Sequence, residues 1–179
     1  MDSVQIETEV LGQMVTNLGD SLLQLSFQSP VLLIFLRHFG CTFCREALAD
    51  IATRKAGIEQ MGTRIVFVHM TDDALAEKYF NKFGLEGAVH ISDPACNYYA
   101  AFGLVKGSFT QLFGLHSWIR GFNAGIVQGH GAGPILGDGF QMPGVFVIQD
   151  GMIKDGFMHK LASDRPDYDE LLRNCCEIA

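Results

Sequence analysis

Positive charge is scarce in this chain: 13 Lys and Arg stand against 20 Asp and Glu, a formal net charge of −7. A surface of that sign repels phosphate backbones and anionic headgroups, which argues against nucleic acid or a membrane surface as partner. Long apolar runs are missing as well. The longest unbroken aliphatic and aromatic run, Val31 to Leu36, has six residues, against the roughly 20 that a membrane-spanning helix needs. The stretch from Met1 to Glu7 lacks the basic start and apolar block of a secretory signal, so the expected location is the cytoplasm. Gly129, Gly131 and Gly133 fit neither GxGxxG nor GxxxxGK, so a nucleotide cradle is not supported, and His90, His116, His130 and His159 form no HExxH or other ligand spacing. No metal is expected.

What is present suits one packed domain. The 179 residues are 48% hydrophobic and only 18% charged, a balance under which a chain folds rather than stays disordered. A single α/β domain over residues 1–179 is expected, with a short helical extension at the N-terminus read from Val4, Leu11, Val15, Leu18, Leu22 and Leu25. After Pro30, the run Val31–Leu36 is apolar at every position, as in a strand covered on both faces. A helix is expected from about Thr42 to Met61, a second covered strand over Thr63–Met70, and a helix over Asp72–Phe83 capped by Asp72 or Asp73. A short strand at Val89–Ser92 follows, then a helix over Pro94–Phe102. This βαβα alternation implies parallel pairing.

Further along, Phe109, Leu112, Phe113, Trp118, Ile119 and Phe122 recur at helical spacing within Ser108–Ile126. That stripe reads as core packing, with a dimer face or apolar substrate wall as the other reading. A glycine-rich loop follows. Gly144–Gln149 and Met152–Met158 read as a hairpin turning at Asp150-Gly151, and Asp164 with Pro166 opens a last helix.

The five cysteines are an odd, sparse set, unlike a disulfide-stapled secreted scaffold. Cys41 and Cys44 are the informative ones, with Thr42 and Phe43 between them. They follow a buried strand and open a helix, where unpaired N–H groups and the helix dipole favour a thiolate. Cys44, Ala47, Leu48 and Ile51 share one apolar face, so Cys44 should point inward and Cys41, near the cap, should be the more exposed attacking thiolate. Zinc would need two more ligands, which the adjacent Cys175 and Cys176 supply poorly; a structural pair is the other alternative. His38, if protonated, would further stabilise the Cys41 thiolate. Arg37 and Arg120 are the candidate cations beside the pair. Pro143 stands before a strand, where a cis Met142–Pro143 bond would present the Met142 backbone to a disulfide partner. Cys96 reads as a buried filler or second resolving thiol, Cys175 as core, and Cys176 as an exposed residue.

The order strand, CxxC at a helix start, βαβ run and Pro-led hairpin with a closing helix resembles the thioredoxin fold, a mixed central sheet with helices on both faces. More narrowly, Arg37-His38-Phe39-Gly40-Cys41-Thr42-Phe43-Cys44-Arg45-Glu46 resembles the signature of AhpC/TSA-type peroxiredoxin-like proteins. Gly137–Phe146 and Ser163–Tyr168 agree with it, and the resemblance covers roughly residues 20–175. It implies a thiol-dependent antioxidant oxidoreductase without an organic cofactor that reduces peroxides or protein disulfides, with thioredoxin, glutaredoxin or glutathione as reductant. The motif PxxxTxxC of typical peroxiredoxins aligns with Arg37 in place of Pro, Cys41 in place of Thr and Cys44 as the peroxidatic position. Cys41 is a poorer hydrogen-bond partner than Thr, which favours thiol–disulfide exchange over peroxide turnover. The alignment also makes Cys44 the attacking residue, opposite to the order read from the helix start. A non-enzymatic binding module of the same fold, using the aromatic helix and glycine-rich loop, is the competing class.

Overall fold

Five strands form one mixed sheet in the order β3-β2-β1-β4-β5. The structure, a computed structural model, describes residues 6–108 and 137–176, with side chains to residue 173. The central strand β1 (Val31–Phe35) is buried at every residue, as its uninterrupted apolar run requires. It pairs in parallel with β2 (Arg64–His69), which pairs in parallel with β3 (Val89–Ser92). On its other side β1 pairs antiparallel with β4 (Gly144–Gln149), and β4 with β5 (Met152–Met158).

Two apolar layers cover the sheet because successive strand residues face opposite ways. Leu32 and Ile34 pack under α3 (Thr42–Gln60), α4 (Asp73–Lys82) and the last helix, here α6 (Tyr168–Cys176), among Leu48, Ile51, Phe80 and Leu172. Val31, Leu33 and Phe35 face α1 (Thr8–Gln13), α2 (Leu22–Gln28) and α5 (Asn97–Ala101) among Leu11, Leu25, Tyr99 and Phe146. The expected mixed sheet with helices on both faces is therefore present.

Local chemistry sets the element ends. Ser21 and Gln24 form a reciprocal capping box at the start of α2, and the Asp72 carboxylate accepts from the Leu75 N–H at 2.9 Å to cap α4. The hairpin turns at Asp150 and Gly151, whose φ values of +54° and +70° suit a two-residue turn with left-handed residues at both positions. A Cβ at Gly151 would lie 3.2 Å from the Leu23 side chain, so no other residue fits there without strain.

Two helices start later than their sequence pattern indicates. α5 begins at Asn97 rather than Pro94, because Cys96 takes a left-handed φ of 57° and the Asp93 carboxylate gathers the N–H groups of Asn97, Tyr98 and Tyr99 at 2.8–3.3 Å. α6 begins at Tyr168 because Asp164 is spent on the N–H groups of Lys160 and Leu161, both at 2.8 Å. Asp167 instead accepts from Asp169 and Glu170 at 3.1 and 3.0 Å. The aromatic helix expected over Ser108–Ile126, with Arg120, and most of the glycine-rich loop lie outside the described residues. So do the side chains of Cys175 and Cys176. Among the described residues, no helix is long and apolar enough to cross a membrane.

Candidate active site

The site sits where β1 ends. Tyr99, fully buried, places its hydroxyl 2.6 Å from the Leu36 carbonyl and 3.1 Å from the Val68 carbonyl. It thereby pins the last turn of chain before Arg37. From there a tight turn, closed by the Cys41 N–H donating to the His38 carbonyl at 2.9 Å, leads into α3. Cys41 is the N-cap residue of that helix, yet its side chain accepts no hydrogen bond from the helix N–H groups.

The donor it has is Arg37. The Arg37 Nη1 donates to Cys41 Sγ at 3.0 Å, and Nη2 donates to the Gly139 carbonyl. Arg37 is 7% exposed and has no carboxylate partner among the described residues. Asp138 lies near enough to feel its charge but is paired with Lys106 at 2.7 Å. A guanidinium is charged at any physiological pH, and a buried charge is costly unless an opposite one meets it. The Cys41 sulfur is the acceptor that this geometry places against that charge.

Gly139 belongs to the stretch before β4, and Gly137 holds that stretch against the sheet. Its φ of +108° and a built Cβ only 2.8 Å from Met70 Cβ leave room for glycine alone. Thus the glycines that end the loop serve to bring a backbone carbonyl onto Arg37.

Cys44 has the opposite environment. It is 4% exposed, and its thiol donates to the Arg37 carbonyl at 3.4 Å. Burial, followed by the nearby Cys41 charge, pushes the Cys44 thiol well up, against the smaller pull of Arg37 and Arg45. The inward orientation read from periodicity is present. Cys41 is the more exposed of the two, as expected, but only by a small margin: at 7% it is itself buried.

His38 departs from the protonated imidazole expected there. It is buried beside two guanidinium groups, and burial, then Arg37, then Arg45, push it down to about 4. Its ring is therefore neutral near pH 7 and cannot supply the positive charge foreseen for it. Thr42 is the first residue of α3, half-buried. Pro143 lines the cavity beside Cys44 and Met142 packs against Phe43, but no peptide bond in the described residues is cis. The Met142 N–H already donates to the Val105 carbonyl at 3.4 Å, and its carbonyl accepts from Gln141 Nε2 at 3.3 Å. That backbone is engaged within the fold rather than presented outward.

Several residues of the site escape the sequence reading. Arg45 donates from Nε to the Phe39 carbonyl at 3.0 Å, and its guanidinium lies 5.9 Å from the Tyr79 ring centroid. A small cavity of about 40 Å³ lies against Cys44, lined also by Arg37, Glu46, Pro143, His159 and Tyr168. Glu46 lies just after the CxxC motif in sequence, and Arg165 reaches it from a distant segment at 3.3 Å.

A separate cluster joins His69, Asp73 and His90, with His69 Nε2 2.9 Å from His90 Nδ1 and His90 Nδ1 3.6 Å from Asp73. A metal-bound His normally donates its second N–H to an acceptor. Here His69 Nδ1 instead accepts from the Thr71 N–H at 3.4 Å, and His90 Nε2 is buried without a partner. The donor set fits a neutral hydrogen-bonded pair better than a metal. Cys96 is half-buried, and burial raises its thiol.

No protein-family model matches the chain. Its fold is shared with solved peroxiredoxins. The bacterioferritin comigratory protein of Xanthomonas campestris superposes with a TM-score of 0.67 at 12% identity, over 99% of this chain and 100% of that one. The peroxidoxin BcpB of Mycobacterium tuberculosis gives 0.60 at 17% identity, over 93% and 92%. Peroxiredoxin 6 of Arenicola marina gives 0.60 at 14% identity, over 91% and 70%. The chain thus has the thioredoxin-type fold in its peroxiredoxin form, in keeping with its resemblance to AhpC/TSA-type peroxiredoxin-like proteins. Among curated proteins, the thioredoxin-like protein AAED1, chloroplastic, of Arabidopsis thaliana is 27% identical over 150 residues, 79% of this chain and 60% of that protein. This chain spans about three-fifths of that relative's length.

Proposed function

We propose that this chain is a thiol-dependent oxidoreductase in which Cys41 attacks and Cys44 resolves. One observation carries the reading: the buried Arg37 Nη1 lies 3.0 Å from Cys41 Sγ, where a guanidinium can offset the charge of a thiolate, while burial pushes the thiol of Cys44, one helical turn away, well up. The thiolate is the nucleophile in thiol–disulfide exchange.

In the first step Cys41 Sγ attacks one sulfur of a disulfide, forming a mixed disulfide and expelling a thiolate. In the second, Cys44 loses its proton and attacks Cys41 Sγ, closing the Cys41–Cys44 disulfide and releasing the second thiol. With a peroxide, Cys41 takes one oxygen as a sulfenic acid, water or an alcohol leaves, and Cys44 then closes the disulfide with loss of water. A dithiol donor of the thioredoxin or glutaredoxin kind, or glutathione, returns the two electrons. At 7% exposure Cys41 admits a small oxidant more readily than a folded protein. A reducing compartment such as the cytosol suits a pair that must be reset, and a single domain, acting alone or as a homodimer, suffices.

A second order of attack has one observation in its favour. The cavity beside Cys44 is large enough for a peroxide, and the resemblance puts the peroxidatic sulfur at Cys44. The buried, protonated state of that thiol weighs against it. The described neighbour from Xanthomonas campestris is reported for alkyl peroxide reduction, which supports peroxide as one oxidant for either order.

The test is a reduction assay with hydrogen peroxide, an alkyl hydroperoxide and a low-mass disulfide, coupled in turn to thioredoxin, glutaredoxin and glutathione. Turnover with at least one oxidant, lost in Cys41→Ser and in Cys44→Ser, is the expected result. A protein whose two thiols never interconvert between dithiol and disulfide would instead be a binding module.

A further inference from the structure

Away from the thiols, at the starts of β1 and β2, a cavity of about 350 Å³ opens between the turn over residues 16–20, the end of α2 and the end of α3. That volume falls within the roughly 300–1,000 Å³ of small-molecule sites. The backbone fixes its position. Gly62, at a φ of +78°, turns the chain out of α3, and the Arg64 N–H then donates to the Pro30 carbonyl at 2.9 Å. This bond ties the segment carrying Ser29, the C-cap residue of α2, to the one carrying Thr63, and both residues line the cavity.

Four polar groups of the lining lack protein partners. Thr63 is 2% exposed, yet its Oγ1, like Ser29 Oγ, is buried without a hydrogen-bond partner, a costly state for a polar atom. At the exposed rim, the Arg64 guanidinium and the Asp20 carboxylate form no ion pair among the described residues, either with each other or with a third group. The remaining acid, Glu59, is committed to Lys55 at 2.7 Å, and Thr16 Oγ1 accepts from the Leu18 N–H at 3.4 Å. Leu25 and Val89 give the cavity an apolar wall, and Leu18, 68% exposed, adds to it.

One unpaired cation, one unpaired anion, two unpartnered hydroxyls and an apolar wall complement a zwitterion with an apolar tail. We propose that this cavity binds a free α-amino acid with an aliphatic side chain. The ligand carboxylate meets the Arg64 guanidinium and the hydroxyls of Ser29 and Thr63, which turn about χ1 to donate. Its ammonium meets Asp20, and its side chain lies against Leu18, Leu25 and Val89. A simple anion would leave Asp20 unmatched and a simple cation Arg64, while a nucleotide would bring more negative charge to a chain already at −7. The thiols, beyond the other end of β1, take no part.

Isothermal titration of the protein with L-leucine tests the site, set against leucinamide, which lacks the carboxylate, and N-acetyl-leucine, which lacks the ammonium. Saturable one-to-one binding of L-leucine is expected, with either derivative at least about tenfold weaker, the scale of one lost charge-assisted contact. Arg64→Gln should weaken L-leucine by a similar factor and leave leucinamide unchanged. Asp20→Asn should weaken L-leucine and leave N-acetyl-leucine unchanged. Thr63→Val removes a hydroxyl that has no partner in the free protein, so its urea midpoint should not fall while L-leucine binding weakens. Absence of saturable L-leucine binding, equal binding of the three compounds, or L-leucine binding that survives the Arg64 and Asp20 substitutions unchanged would each overturn the proposal.

Discussion

Arg37 and Cys41 form a buried pair, with Nη1 3.0 Å from Sγ and no carboxylate paired with the guanidinium among the described residues. Three residues lie between them in sequence, and the turn through Phe39 and Gly40 folds one back onto the other. The arrangement differs from a thiolate held by helix N–H groups alone, since the cap residue makes no such bond here. A full charge in a water-poor site acts more strongly than the partial charge of a helix end.

Replacing Arg37 with Met should therefore slow the first chemical step. A hydrogen bond to a charged group contributes roughly 1.5–3 kcal/mol, which corresponds to about a tenfold to hundredfold loss in thiolate reactivity. The rate of Cys41 alkylation near neutral pH, followed in Cys44→Ser so that only one site thiol reports, measures it. An unchanged rate would mean that Arg37 serves packing alone.

Acid should destabilise the protein before its carboxylates titrate. Burial holds His38, His69 and His159 at about 4, below the 6.5 of an unfolded chain, and lowers His90 as well. Between those values the unfolded state binds more protons than the native one, so stability rises with pH. It is fully present above about 6.5 and is lost as pH falls toward about 4. Urea midpoints taken across that window should fall with decreasing pH, and His159→Gln should flatten the decline.

Tyr99→Phe tests what holds the site in place. Its hydroxyl lies against the Leu36 and Val68 carbonyls at the very end of β1. Loss of a buried hydrogen bond costs on the order of 1–2 kcal/mol, readable as a lower urea midpoint. Because Leu36 precedes Arg37, faster amide exchange should appear in the turn leading to Cys41 and not in the β4–β5 hairpin.

The parts of this molecule legible in the sequence are those set by short-range patterns. Val31–Leu36 announces a covered central strand because all its residues are apolar, and Asp150-Gly151 announces a tight hairpin because that dipeptide accepts two left-handed residues. The inward face of Cys44 follows from its spacing to Leu48 and Ile51. What escapes depends on distant partners or on environment. Asp93 and Asp167 displace two helix starts by capping later N–H groups. His38 loses its charge to burial among guanidinium groups that its neighbours cannot reveal. Glu46 meets Arg165, more than a hundred residues on, only in the folded chain. The AhpC/TSA-type resemblance anticipates the fold, yet it orders the two sulfurs in the reverse of the order proposed above.

That order is best decided by trapping. The account predicts that Cys44→Ser, mixed with a low-mass disulfide, accumulates a stable adduct on Cys41 by intact-mass and peptide mass spectrometry, while Cys41→Ser forms none at a comparable rate. A rapid adduct on Cys44 in the Cys41→Ser variant, with Cys41 inert in the other, would contradict it.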